Sequence, residues 1–521
     1  MFADVHVHTV MKYVHNGRSN LWRSFWGPIR FLGFINNLLG IPAFSQSDFR
    51  RLCKGQFQIV CVPLHPPEQK IVYTNLENSV LEDPFEKLAA QVISIPVKKI
   101  EHYKQPEYDH YQQTLKELQL LIDNRNTSRR IRINGRRKKC SYKLVKNAQE
   151  IEDILKLNRE DERQHTIAVL ITIEGLHALG CGHVWHNDRE NPFNVSDEEL
   201  MERIDAIKGI SSDNYKGWKI SPMFFNVTHV FDNGYFGHAK GLGGSYSKIF
   251  DYAEPHNNQP NPGFSIGQNQ PMSSFGQQII KRLLGIDATA LNSTYPGRRI
   301  IPDIKHMSTK TRRDYYQIVD DYNNDHPDDL IPIVMSHAAV NKKPTYSENH
   351  FDPIDDEQEY AQSKGFNPWS INLYDDEIIR IHETNGLIGI IFDERILAGK
   401  AKLKKLRDNE KPFSLYGKRM KWLLLIMDQI EHIIKTVQKS NTRTDKAGIW
   451  DRICIGSDFD GQINPINGYK KATDFSGLRS DLEKLLAEDR YVDIRMGIRI
   501  HELLEKICLD NVHSFLRRHY K

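Results

Sequence analysis

The chain has 521 residues, with 71 Lys and Arg against 67 Asp and Glu, a formal net charge of +4. That balance excludes wholesale nucleic-acid binding, which needs a strongly basic surface. The length exceeds one ordinary core, since chains beyond roughly 250–300 residues tend to split, whereas a β/α barrel with insertions can run past about 400.

The chain opens on Asp4-Val5-His6-Val7-His8. On a strand, the i, i+2 spacing turns both imidazoles to one side and makes half of a metal site. No basic and apolar leader precedes them. The segment Phe31 to Phe44 is interrupted by Asn36 and Asn37 and falls short of the about 20 apolar residues a bilayer needs. It reads as a core-facing helix or an entrance lid. Six cysteines (Cys53, Cys61, Cys140, Cys181, Cys454, Cys508) form no Cys-x-x-Cys pair and read as free thiols in a reducing compartment. The expectation is a cytoplasmic protein without a membrane span.

Strands are predicted at Val5–His8, Phe57–His65, His165–Glu174, Trp218–His229, Arg299–His306, Leu330–His337, Gly386–Phe392 and Ile453–Asp458. Most are continuous apolar runs, as in parallel strands buried on both faces. Between them, apolar residues at i, i+3, i+4 predict helices over Leu115–Asp123, Asp197–Ile207, Phe275–Leu284, Thr309–Tyr322, Tyr374–Thr384 and Tyr416–Lys439. Strands alternating with helices in this way predict an α/β fold, a (β/α)8 TIM-type barrel over residues 1–521. Three connections are too long for bare loops: 66–164, the Gly/Asn/Pro-rich 230–271, and 338–370. The first carries a basic run, Arg129 to Lys139. Without interleaved aromatics it reads as a solvated hairpin or insertion rather than a nucleic-acid surface.

All the predicted strands but the seventh end in His, Glu or Asp, at the face where β/α barrels carry their chemistry. The set is His6, His8, Glu174, His229, His306, His337 and Asp458. Imidazole and carboxylate donors without cysteine suit catalytic Zn²⁺, or Mn²⁺, Fe²⁺ or Co²⁺. There are enough for two ions. Glu174 has two oxygens and lies in the middle of the set, so it is the natural bridge. Two such cations lower the pKa of a shared water toward about 7. Asp458 is placed to carry the proton to a leaving nitrogen, and His229 to stabilise an oxyanion. His65, His177, His183, His186 and His238 lack the pattern or sit in loops, with His65 the closest to inclusion. Asp460 reads as structural.

Several of these segments resemble the motifs of membrane (renal-type) dipeptidases, peptidase family M19 of the amidohydrolase superfamily. They are Ile173-Glu174-Gly175, Val227-Thr228-His229, Ser336-His337-Ala338 and Gly456-Ser457-Asp458-Phe459-Asp460-Gly461. Ser274-Phe275-Gly276-Gln277, Asn372-Leu373 with Asp375 to Ile378, and Asp510-Asn511-Val512 with Phe515-Leu516 resemble it too. The resemblance implies two zinc ions, His6 and His8 on one, His306 and His337 on the other, and Glu174 between them. It implies hydrolysis of dipeptides by a metal-bridging hydroxide on which Asp458 acts, with His229 on the scissile carbonyl. It also admits a homodimer, since family members often form one. Two departures stand out. The family has His-x-Asp where this chain has His6-Val7-His8, and an arginine for the substrate carboxylate where this chain has Ile371. An apolar residue makes no bidentate contact to a carboxylate. Either an insertion supplies the cation, or the scissile bond is another one, such as a lactone, ester or phosphoester. The non-enzymatic reading is a barrel scaffold that binds through residues 129–139.

Overall fold

Apolar runs flanked by turn residues fold here into short parallel strands. The computed structural model describes residues 1–24, 44–68, 96–103, 105, 108–181, 195–241, 269–286, 295–346, 357–409, 415–442 and 445–521. Most of Phe31–Phe44, residues 69–95 of the first insertion, the centres of the other two, His183 and His186 lie outside the described residues.

The strands are β1 (Phe2–Asp4), β2 (Phe57–Leu64), β3 (Arg129–Ile133), β4 (Arg136–Leu144), β5 (Gln164–Glu174), β6 (Phe224–Asn226), β7 (Ile301–Asp303), β8 (Val334–Ala338), β9 (Leu387–Ile390) and β10 (Ile453–Ile455). Eight of them run parallel in the order β1-β2-β5-β6-β7-β8-β9-β10. The ring closes between its ends: Val5 N–H donates to Ile455 O at 2.9 Å, and Asp458 N–H to His6 O at 2.9 Å. This is a (β/α)8 barrel. Every one of the eight strands falls within or next to a predicted one, but several are shorter. Pro222 and Pro332 explain two cases, because a proline has no N–H for the ladder and both precede the observed strand starts.

One buried cluster takes residues from each barrel strand, including Ala3, Cys61, Leu170, Phe224, Ile301, Val334, Leu387 and Cys454. It fills the barrel interior, and Phe515 and Leu516 of the C-terminal helix Asn511–His519 join it. Asn511 donates from Nδ2 to the carbonyls of Trp450 and Ile453, both at 2.7 Å, and so ties that helix to β10. The helices on the outside match the amphipathic pattern. Asp197–Ile207, Ser274–Leu284 and Thr309–Asp325 each start behind a serine, Ser196, Ser273 or Ser308, whose side chain accepts a backbone N–H of the first turn. No helix among the described residues is long and apolar enough to cross a membrane.

The basic run forms the hairpin β3–β4 across Asn134 and Gly135, both with positive φ (46° and 81°). That is the Asn-Gly pair a two-residue turn requires. Its second strand then runs parallel to β5, from Lys139 beside Gln164 to Leu144 beside Val169. Strand β5 is long enough, at 11 residues, to hold this hairpin with its first half and still pair with β6 through Ile173 and Glu174.

Candidate metal centre

The parallel order puts all the strand C-termini at one mouth, and the seven predicted residues come together there. Glu174 is the last residue of β5 and His337 lies within β8. His6, His229, His306 and Asp458 follow the ends of β1, β6, β7 and β10 by two or three residues, and His8 by four. They stand on turns, not on strands as predicted. His306 and Asp458 take left-handed backbone (φ 68° and 59°), which non-glycine residues adopt at some expense. The glycine after Asp460 is explained by the same turn. A Cβ on Gly461 would stand 1.9 Å from Asp458 Oδ1 and 2.9 Å from His8 Cδ2.

Glu174 is the hub. Its Oε1 lies 3.5 Å from His6 Nε2, 3.3 Å from His306 Nε2 and 3.6 Å from His337 Nε2. Its Oε2 lies 3.0 Å from His8 Nε2. Asp458 Oδ1 is 3.4 Å from His8 Nε2 and 3.9 Å from His6 Nε2. The imidazoles also pair off: His6 Nε2 faces His8 Nε2 at 3.2 Å, and His306 Nε2 faces His337 Nε2 at 3.1 Å. All of these residues are buried.

A second layer orients them. Ser336 Oγ lies 3.1 Å from His6 Nδ1 and 2.9 Å from His337 Nδ1, which leaves both Nε2 atoms turned inward. The Asp4 carboxylate accepts the N–H groups of His6 and Ser457 and the Ser457 hydroxyl, binding the first strand to the last. Asp460 is structural as expected. It accepts the N–H groups of Gln46 and Ser47 and pairs with buried Lys12 at 2.9 Å.

Burial opposes charge throughout the cluster. It pushes His306 down to about 3 and His337 well below the imidazole range. Burial works against His8 as well, yet Glu174 and Asp458 beside it raise it to about 10. Glu174 is held well below the carboxylate range against its own burial, by His6 and His8, whereas burial raises Asp458.

No family model and no curated protein matches the sequence. Among solved structures, a metallopeptidase from Rhodobacter sphaeroides, liganded with a phosphinate mimic of the dipeptide L-Ala-D-Ala, superposes with a TM-score of 0.50 at 12% identity. The match covers 99% of each chain. The chain has that metallopeptidase's fold. A dipeptidase of metallopeptidase family M19 is also similar, with a TM-score of 0.48, 13% identity and coverage of 100% of this chain and 98% of the other. The probable dipeptidase PvdM of Pseudomonas aeruginosa follows at 0.47, 14%, 91% and 89%.

Three further residues join the mouth. His65, set aside in the sequence, follows β2. It donates from Nδ1 to the carbonyl of Glu174 at 2.9 Å, with that nitrogen 3.7 Å from Glu174 Oε2. Glu68 and His177 lie deeper around His229. His229 donates from Nδ1 to Glu68 Oε2 at 2.5 Å, and His177 Nδ1 is 3.8 Å from Glu68 Oε1. Burial opposes the charge on both partners of the closer pair, yet Glu68 is drawn down to about 2 by His229, and His229 is raised by Glu68. His65 carried the strand-end signal and could have been found by it. Glu68 and His177 sit in loops and carried none.

Ile371 is buried beside the mouth. A Cβ on Gly241 would stand 3.7 Å from Ile371 Cδ1 and 3.8 Å from His306 Nδ1. The preceding residue, Lys240, is buried with Nζ 5.6 Å from the centre of the Trp369 ring.

Proposed function

We propose that the chain is a binuclear zinc-dependent hydrolase of the amide bond in dipeptides or similar small molecules. In this reading His6 and His8 hold one ion, His306 and His337 the other, and Glu174 bridges them. The observation that carries it is the spacing of the donors. Two nitrogens each about 2.0–2.1 Å from one tetrahedral ion lie about 3.3 Å apart. The two Nε2 pairs stand at 3.2 and 3.1 Å. In a protein without the ion, two imidazole nitrogens facing at that distance set lone pair against lone pair or proton against proton unless a single proton is shared. Glu174 Oε2, buried and without a hydrogen-bond partner among the described residues, adds to the fit. The donor set has no cysteine, as suits a catalytic rather than a structural site.

Bound ions there would supply Lewis acidity toward a carbonyl and make water acidic near neutral pH. The chain's own groups do the rest. Asp458 is buried, beside both His6 and His8, and takes and passes on a proton. His229, across the mouth from Asp458, orients the scissile carbonyl. A cation in place of the missing arginine would come from an insertion, and Lys240, in the loop after β6, is buried with its Nζ over the Trp369 ring, next in sequence to the glycine beside Ile371. The dipeptide mimic bound by the Rhodobacter sphaeroides metallopeptidase supports dipeptides as the class of substrate.

The test is metal-quantified turnover over a panel of dipeptides, lactones, esters and phosphoesters. The expected result is two equivalents of transition metal per chain and dipeptide hydrolysis that falls by about 10²-fold or more in Asp458→Asn. Activity on esters or phosphoesters alone would remove the dipeptide reading. Fewer than two equivalents, with no turnover, would leave the scaffold reading.

A further inference from the structure

The hydrolase reading assigns no role to Glu68, a buried carboxylate at the mouth outside the metal cluster. It lies four residues past the end of β2, at the start of the 66–164 insertion, and is 6% exposed. A carboxylate buried that far must be paired. Its Oε2 accepts from His229 Nδ1 at 2.5 Å, and its Oε1 accepts the N–H of Phe231 at 3.2 Å. One side chain thus grips both the ring of His229 and the backbone two residues beyond it. His177 completes the pocket. Its Nδ1 is 3.8 Å from Oε1, and its Nε2 donates to Pro66 O at 2.8 Å, which pins the loop that carries Glu68.

The bond to Glu68 is the only hydrogen bond His229 makes among the described residues. The other rings around it are the imidazoles of His65, His306 and His177, with centroids at 4.4, 4.6 and 6.3 Å, and they pack against it without a hydrogen bond. Packing alone leaves the two faces of an imidazole nearly equivalent, so a flip would exchange Nδ1 with a carbon. The carboxylate removes that freedom. With Nδ1 committed, Nε2 is the nitrogen left for a substrate, and a ring nitrogen of His229 lies within 4.8 Å of a Glu174 carboxylate oxygen.

We propose that Glu68 is a positioning residue. It holds the His229 ring in one orientation with a proton on Nδ1, so that Nε2 is presented to the substrate beside Glu174. A scissile carbonyl only accepts, so Nε2 must carry a proton too, and the Nδ1–H bond to the carboxylate suits the imidazolium in which both nitrogens donate. The first residues of the insertion therefore belong to the active mouth.

The inference rests on the hydrolase reading, and its test separates the two. Glu68→Met fills the volume without an acceptor, whereas Glu68→Gln keeps an amide oxygen that accepts from Nδ1. Expected for the metal-loaded Glu68→Met variant is a fall in kcat of about 10²-fold, with metal content and Tm near wild type. Glu68→Gln should recover most of that loss, and Glu68→Met should add nothing in a His229→Ala background. An independent readout is the downfield Nδ1 proton resonance of His229 in ¹⁵N-histidine-labelled protein. It should be present in wild type and Glu68→Gln and absent from Glu68→Met. A Glu68→Met enzyme within twofold of wild type overturns the proposal. So does a Glu68→Gln enzyme as poor as Glu68→Met, or an activity loss matched by metal loss. A wild-type protein that is inactive on the whole panel while the resonance behaves as expected sinks the hydrolase reading and leaves the orientation of His229 standing.

Discussion

In the hairpin, Arg132 stands across from Arg137 and Arg130 across from Lys139, all four exposed. In the barrel mouth, His6 faces His8 and His306 faces His337, all four buried. Both regions hang on β5, the hairpin along its first half and the mouth at its last residue. Like groups are crowded in each, with opposite consequences. None of the four hairpin cations has a carboxylate within ion-pair distance among the described residues, and none needs one. Water and salt reduce their repulsion to well under about 1 kcal/mol. Two charged imidazoles at 3.1 Å in a buried site would repel by about 5 kcal/mol at an effective dielectric of 20. Burial therefore keeps His306 and His337 uncharged, and Glu174 is the one carboxylate that reaches all four rings. Charge density alone marks no site. Charge density without water does.

The sharpest way to break this contrast is to remove the hub. Glu174→Ala leaves four imidazoles facing one another without an anion. We expect loss of both metal equivalents and a fall in turnover of about 10³-fold or more, equivalent to about 4 kcal/mol. Elemental analysis beside the hydrolysis assay checks it, and a variant with full metal and near-normal turnover contradicts the bridging role.

A buried carboxylate without a cation lies between the two extremes. Glu117 accepts the N–H of His65 at 2.7 Å, and burial raises it from 4.5 to about 8. The folded state thus holds its proton where the unfolded chain has released it. Stability should fall as pH rises from about 4.5 to about 8, and the fall should be smaller in Glu117→Gln. Urea unfolding at pH 5 and pH 8 is expected to give a difference of about 1–3 kcal/mol between the two proteins' pH responses. Equal responses would mean that Glu117 is ionised in the fold.

The smallest effect belongs to the hairpin. Arg132→Gln combined with Arg137→Gln should change stability by no more than about 0.5 kcal/mol, in the stabilising direction at low salt. A loss above about 1 kcal/mol in urea unfolding, insensitive to salt, would show that these cations are engaged after all.

How far the site was legible follows from the same physics. His6, His8, Glu174, His229, His306, His337 and Asp458 end apolar runs, and a polar residue at the end of a buried strand is visible in one dimension. His65 ends such a run too, yet nothing local separates a ligand from a satisfied core histidine. Glu68 and His177 were invisible. Their loops have no periodicity, and what matters about Glu68 is a partner 161 positions away. The strand lengths were overestimated because hydrophobicity reports burial, while Pro222 and Pro332 control where the ladder can begin.

From its sequence alone, the chain determined the alternation of buried runs with amphipathic helices, the barrel this implies, and a supply of imidazoles and carboxylates at one end of the strands. Those are consequences of local pattern, since a strand's burial and a helix's face depend on neighbours a few residues away. Only the tertiary structure decided which nitrogens face each other, that Glu174 stands between them, and that Glu68 grips His229. These depend on closure of the ring between β1 and β10 and on the path of long connections. Distances of about 3 Å between residues hundreds of positions apart are set by that closure, not by any pattern along the chain.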